Sequence, residues 1–184
     1  MAKVKGAAIV DSVRYLRRHK DEARELLAPE LHHYLAERVL IASWYPEEDL
    51  VPLVRAMATI QGESEDAFFD KAGRLAAYTH AQGVYRLLMR DGARESLARR
   101  AFILWTSQHD TGSMEMHPTE DPNRVCVELR GFGAPTREFC RINGGYIAAT
   151  FEITGCQQVR TIKESCCVDG DSECAWQVSW DHKD

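Results

Sequence analysis

Residues 159–180 read VRTIKESCCVDGDSECAWQVSW, and their period is two. In an extended chain Cys174, Trp176, Val178 and Trp180 fall on one side, with Ala175, Gln177 and Ser179 on the other. Val159 to Cys167 supplies a partner strand, and Asp169-Gly170-Asp171 between them is a turn signal. Upstream, Pro135 opens a helical pattern with Phe139, Ile142, Tyr146, Ala149 and Ile153 on one stripe. Cys140, Ile147 and Phe151 widen that stripe, so the helix is expected to be buried on two sides, and Gly155 fits its C-cap. Earlier still, Met114 and Met116 alternate with Ser113, Glu115 and His117, and Val125, Val127 and Leu129 with Cys126, Glu128 and Arg130. They predict a hairpin across the polar loop from Pro118 to Asn123. The order strand, strand, helix, strand, strand predicts an antiparallel sheet covered by helices.

Before about residue 112 the period is helical. Helices are expected over 7–19 and over 21–39, the second interrupted near Pro29. Pro46 followed by Glu47, Glu48 and Asp49 resembles a helix start, with acids at the positive dipole end. Leu50, Leu53, Val54, Met57 and Ile60 continue it to Gly62. Ser64 is a cap for the next helix, and a further one near 93–106 would bury Leu97, Ala101, Leu104 and Trp105. The fold class is therefore α+β: an N-terminal helical layer packed on a C-terminal antiparallel sheet. We expect one domain, 1–184, with a helical part (1–110) and an α+β part (111–184).

The 184 residues carry 23 lysines and arginines against 28 acids, a formal net charge of −5. Such a balance disfavours nucleic acid as a partner, because that affinity comes largely from neutralised phosphates. The basic cluster Arg14, Arg17, Arg18, His19 and Lys20 reads as a solvated helix face. No apolar run approaches the roughly 18–20 residues needed to span a bilayer. Met1-Ala2-Lys3-Val4-Lys5-Gly6 lacks the apolar core of a signal peptide, so a cytoplasmic protein is expected.

All six cysteines fall in the last third, and reduced thiols or a metal site suit that setting better than disulfides. Cys166 and Cys174 flank the predicted turn, and Cys140 near the helix start reaches the same end of the sheet. Three thiols would converge there, with Glu164 or Cys167 as the fourth ligand of a zinc ion. The alternative is that they pack as small buried hydrophobes. Cys126 and Cys156 lie off the cluster, and the vicinal pair Cys166-Cys167 leaves room for a redox role.

Phe139-Cys140-Arg141, Gly144-Gly145-Tyr146, Cys166, Gly170-Asp171 and Cys174-Ala175-Trp176 together resemble the 4-vinyl reductase (4VR) type domain over about residues 110–180. Its wider fold superfamily includes haem–nitric-oxide-binding domains and TRAPP trafficking subunits. Lys5-Gly6, Ser43-Trp44-Tyr45-Pro46, Gly73-Arg74 and Trp105 are similar to a group of uncharacterised proteins of like length, best known from myxobacteria. The resemblance implies a small-molecule pocket between helices and sheet, and a sensor or adaptor role. It also implies structural zinc on cysteines plus an acid three places before the second cysteine. Here that place holds Lys163, with Glu164 one position late. The haem-binding relatives pair a proximal histidine with a Tyr-x-Ser-x-Arg motif. No such motif occurs here; His80 is the nearest to a ligand among the seven histidines, and haem is not expected.

Catalytic signatures are missing: there is no G-x-S-x-G elbow, no phosphate-binding glycine loop and no HExxH helix. His109-Asp110 and Glu120-Asp121 read as polar turn chemistry. The expected function is thus non-enzymatic: a regulatory or sensory protein that binds a small apolar or aromatic molecule. Phe102, Trp105, Met114, Met116, Phe139, Tyr146 and Trp176 are its candidate lining residues. The alternative is a ligand-free adaptor of TRAPP type, with a homodimer expected in either case; the family resemblance also implies a reductase as a third, remote alternative, although no nicotinamide or flavin motif is present.

Overall fold

A computed structural model describes residues 1–83, 85–89 and 95–181, with 95 and 96 by backbone alone. The N-terminus forms strand β1 (Lys3–Lys5), which feeds directly into helix α1 (Gly6–Arg18). Ile9, Ser12, Val13 and Leu16 make the buried stripe of α1 at helical spacing. Helix α2 (Lys20–Leu26) is short. Ala28 is extended, as a residue before proline prefers, and Pro29–Leu35 then winds as a 3-10 helix. The expected helix over 21–39 is cut there. Arg17 leaves the supposed solvated face to donate to the Tyr34 carbonyl at 2.9 Å.

Strand β2 (Trp44–Pro46) pairs antiparallel with β1, placing Val4 opposite Tyr45. Pro46 therefore ends a strand rather than opening a helix. The acids Glu47–Asp49 form one 3-10 turn, and helix α3 (Leu50–Gln61) follows, ended by Gly62 in the left-handed region. Helix α4 (Glu65–Gln82) and helix α5 (Glu95–Gln108) complete the helical layer. The expected α5 start at 93, like His182, lies outside the described residues.

The period-two reading holds for all four long strands. They are β3 (Ser113–Pro118) and β4 (Arg124–Arg130), then helix α6 (Arg137–Ile153), then β5 (Gln157–Ser165) and β6 (Cys174–Asp181). The sheet runs β3-β4-β6-β5, antiparallel throughout. Met114 faces Leu129, Val127 faces Trp176 and Val125 faces Val178, so one surface of the sheet is apolar. Helix α6 lies on that surface. It is capped by Thr136, whose Oγ1 accepts the Phe139 N–H at 3.0 Å, rather than by Pro135. Thr154 ends it, and Gly155 follows at φ 92°.

Helix α4 crosses α6 with backbone against backbone. A Cβ on Gly73 would sit 1.8 Å from the Ile142 carbonyl oxygen, and one on Gly145 only 2.1 Å from that of Asp70. Only glycine permits the two helices to come this close. The crossing sets how α4, α5 and α6 converge above the sheet, which is where the functional residues gather.

Candidate functional site

A cavity of about 200 Å³ opens between the helical layer and the sheet. Its wall is mostly apolar, from Val54 and Met57 of α3, Phe68 of α4, Leu97 and Leu104 of α5, and Phe139 and Phe151 of α6. Of the candidate lining residues, Trp105, Met114, Met116, Phe139 and Tyr146 are on this wall. Phe102 is not: it is about half exposed. The 3.6-residue period puts Leu97, Ala101, Leu104, Trp105 and Gln108 on the inner stripe of α5 and turns Phe102 and Ile103 to solvent. Trp176 is also displaced from the cavity. It is buried on the far side of α6, in a cleft with Cys140, Cys166 and Lys163.

One end of the cavity carries a buried polar chain. Gln108 Nε2 donates to Tyr146 Oη at 3.2 Å. Tyr146 Oη lies 3.0 Å from His80 Nδ1, and His80 Nε2 lies 3.4 Å from the Ala7 carbonyl. The carbonyl only accepts, so Nε2 carries the proton and Nδ1 accepts from the phenol. Burial holds the His80 pKa below the ordinary histidine value and pushes the Tyr146 hydroxyl up, which keeps the chain neutral. Asn143 stands apart from it. The residue is 6% exposed and lines the cavity, yet its Nδ2 has no hydrogen-bond partner.

Near the β1–β2 pair, His109 Nδ1 lies 2.9 Å from Glu47 Oε2, with the two side chains 10% and 1% exposed. The imidazole stacks on Trp105 with centroids 4.0 Å apart, and Phe132 and Phe139 meet it edge-on. Next to it the Lys3 N–H donates to Asp110 Oδ1 at 2.6 Å. Glu47, expected as a helix-dipole acid, and His109, expected as turn chemistry, instead pair here, and no sequence motif marks Gln108 or Asn143. Gln108 and Asn143 each continue a buried helical stripe, which was the one available signal.

Three thiols meet at the far corner. Cys140 Sγ is 3.8 Å from Cys166 Sγ and 3.6 Å from Cys174 Sγ, and all three sulfurs lie within 4.8 Å of one another. Cys167 contributes its backbone N–H, which points to Cys174 Sγ at 3.5 Å. Glu164 is not with them. Lys163 pairs across the sheet with Trp176 and stacks its Nζ 3.5 Å from that ring, so alternation sends the exposed Glu164 to the opposite face. Burial pushes the Cys140 thiol up to about 12. Burial also raises Cys174, but the Cys167 N–H and the nearby Lys163 outweigh it and leave that thiol lowered.

No protein-family model matches the sequence, and no curated protein matches it. Solved structures do. An Fe(II) unliganded H-NOX protein mutant from K. algicida superposes with a TM-score of 0.66 at 13% identity, covering 97% of each chain. An S. oneidensis H-NOX protein in its Fe(II)NO state gives 0.59 at 13%, covering 97% of this chain and 99% of that one. A structure described as probing haem distortion in the H-NOX family gives 0.63 at 11%, covering 98% and 96%. This is the H-NOX fold.

The fold is the haem–nitric-oxide-binding one that the resemblance named among its wider set; the 4VR-type assignment and the myxobacterial likeness find no match. This fold overturns one expectation. Haem was set aside because the Tyr-x-Ser-x-Arg motif is missing, yet the structures that share this architecture are described by their iron state and haem distortion. Among the described residues the cavity wall offers two imidazoles as iron donors. Both nitrogens of His80 are engaged, by Tyr146 and Ala7. His109 has its Nδ1 on a carboxylate, the arrangement that commonly orients a metal-binding imidazole through Nε2. Its donor chemistry fits iron.

Proposed function

We propose that this chain is a regulatory or sensory binding domain, not an enzyme, that holds a small apolar or aromatic molecule between its helical layer and its sheet. The observation that carries this is the mostly apolar cavity of about 200 Å³ with a neutral polar chain on its wall. Cavities of this kind are where small ligands bind. Trp105, Met114, Met116, Phe139 and Tyr146 form the ligand contacts in this reading. The 4VR-type resemblance supports it, since that domain type is associated with small-molecule sensing. Signalling passes through protein contacts, with a homodimer as the working unit in the cytoplasm. Among the described residues, no helix is long and apolar enough to cross a membrane.

The test is native mass spectrometry with an absorption spectrum on freshly purified protein. A retained small molecule supports the sensor. A clean, empty dimer favours the ligand-free adaptor instead. A Soret band replaces the apolar ligand with haem, and His109→Ala then identifies the iron ligand.

A second reading belongs to the thiol corner, which we propose as a metal site of Cys140, Cys166 and Cys174. Zinc–thiolate bonds of about 2.3 Å in a tetrahedron place sulfurs roughly 3.8 Å apart. The separations of 3.6 and 3.8 Å are close to that edge without rearrangement. Lys163 supplies a neighbouring positive charge in place of the acid found at that position in zinc-binding relatives.

A further inference from the structure

Lys163 and the three thiols beside it each lack an opposite charge. This step rests on the metal reading of the thiol corner above. Lys163 pairs with Trp176 across β5 and β6, and alternation puts Cys174 on the same face as Trp176. Lys163 also lines one cleft with Cys140, Cys166 and Trp176. Its Nζ stands 3.5 Å from the Trp176 ring centroid, enclosed and without a hydrogen-bond partner. The ring face attracts the ammonium but brings no net charge. The nearby carboxylates are committed elsewhere: Asp70 pairs with Arg74 at 2.9 Å, Asp169 pairs with Arg137, and Asp171 accepts the Cys166 N–H at 2.7 Å. An enclosed ammonium with no anion beside it is costly.

Metal binding supplies the anion, because each thiol must give up its proton to solvent before it ligates. Three thiolates around a divalent cation carry one net negative charge, which a single ammonium cancels. A monovalent cation would leave negative charge over, and a trivalent one would leave Lys163 uncompensated. Among the described residues no fourth His, Cys, Asp or Glu joins the three sulfurs. We propose that Lys163 is the counter-charge of a three-thiolate site for a divalent cation, acting on the ion's charge without ligating it.

Cobalt(II) is the probe, since its thiolate charge-transfer absorption counts sulfur ligands. The reduced full chain should take one equivalent with a three-thiolate spectrum, and zinc should displace it. Lys163→Met keeps an unbranched stem and removes the charge. It should bind cobalt(II) about ten- to a hundredfold more weakly, the range for losing a group outside the ligand shell, with the spectrum unchanged. Lys163→Arg should retain the affinity. Thermal melts separate this role from plain packing. Without metal, Lys163→Met should melt no lower than wild type, because a lone enclosed charge is gone; with metal it should melt lower. If Lys163→Met does not fold, Lys163→Gln carries the same comparison. Equal affinity in wild type and variant, or the same stability change with and without metal, overturns the counter-charge role and leaves the metal site standing. A four-thiolate spectrum, with Cys167 as the added ligand, overturns the charge balance. Failure of the wild type to bind cobalt(II) or zinc at millimolar concentration overturns the metal reading itself.

Discussion

Alanine at Gly145 should loosen the site without touching a ligand contact. Its Cβ would lie 2.1 Å from the Asp70 carbonyl oxygen and 2.9 Å from the carbonyl carbon, where ordinary contact starts near 3.4 Å. The α4–α6 crossing must therefore open by about 1.3 Å. Both sides of the clash are backbone, so no side chain can rotate away. Overpacking of this kind costs about 1–3 kcal/mol, and the intrinsic helix preference of alanine over glycine returns up to about 1 kcal/mol. The rigid contact puts the net loss near 2 kcal/mol, a sizeable share of the 5–15 kcal/mol typical of a domain. Gly144 is the internal control. A Cβ there meets only Trp176 at 3.4 Å, so Gly144→Ala keeps the crossing and gains about 0.5–1 kcal/mol from propensity. Urea titrations followed by far-UV circular dichroism should move the two midpoints in opposite directions, Gly145→Ala down by about 1 M at the usual slopes. Gly145→Ala within error of wild type, or Gly144→Ala the weaker of the two, would refute the backbone-contact account.

Three further outcomes follow from the buried polar groups. Burial lowers the folded-state pKa of His80, so the unfolded chain binds its proton first as pH falls. Its stabilising contribution is full above about 6.5 and is lost below it, at no more than about 1.4 kcal/mol per pH unit. Thermal melts between pH 7.5 and 5 should show that loss, and His80→Gln should flatten it; an unchanged slope would count against the buried neutral imidazole. Glu47→Ala should destabilise by about 1–3 kcal/mol, since it leaves the enclosed His109 Nδ1 without its hydrogen-bond partner. Glu47→Gln, which still accepts from Nδ1, should retain most of the stability in the same melts. If the thiol corner holds metal, elemental analysis should find stoichiometric zinc that Cys174→Ser releases. Metal-free wild type with unaltered stability in chelator would reduce the corner to packed thiols.

Element order was readable because periodicity is local. The strands Ser113–Pro118 and Cys174–Asp181 and the helix between the hairpins announce themselves within ten residues. The β1–β2 pair was not readable. Three residues in each strand give too little alternation to detect, and Val4 meets Tyr45 only because the intervening helices fold back. The same limit separates Trp105 from Phe102. Both are apolar on one helix, and the choice between cavity and solvent depends on what the helix packs against. At the thiol corner the three cysteines were legible from turn and helix positions. The position of Lys163 was fixed only by its pairing with Trp176, which the register shift near Ser165 sets.

Fold and lining carry different information about a ligand. A space between a helical layer and an antiparallel sheet belongs to the architecture, and architecture persists here at 11–13% identity to the H-NOX structures compared. What the space holds belongs to the lining, where single residues decide. A missing Tyr-x-Ser-x-Arg motif therefore says little about whether a cavity exists. Conversely, a shared fold says little about whether iron or a small ring fills it. The two imidazoles on the cavity wall discriminate because they differ in what they offer: His80 is closed by two hydrogen bonds, while His109 is tethered at one nitrogen. Replacing His109 by glutamine keeps a polar group beside Glu47 while removing the imidazole. Retention of a small aromatic probe by that variant, with no change in the visible spectrum, would assign the cavity to the apolar ligand; loss of an iron signal would assign it to haem.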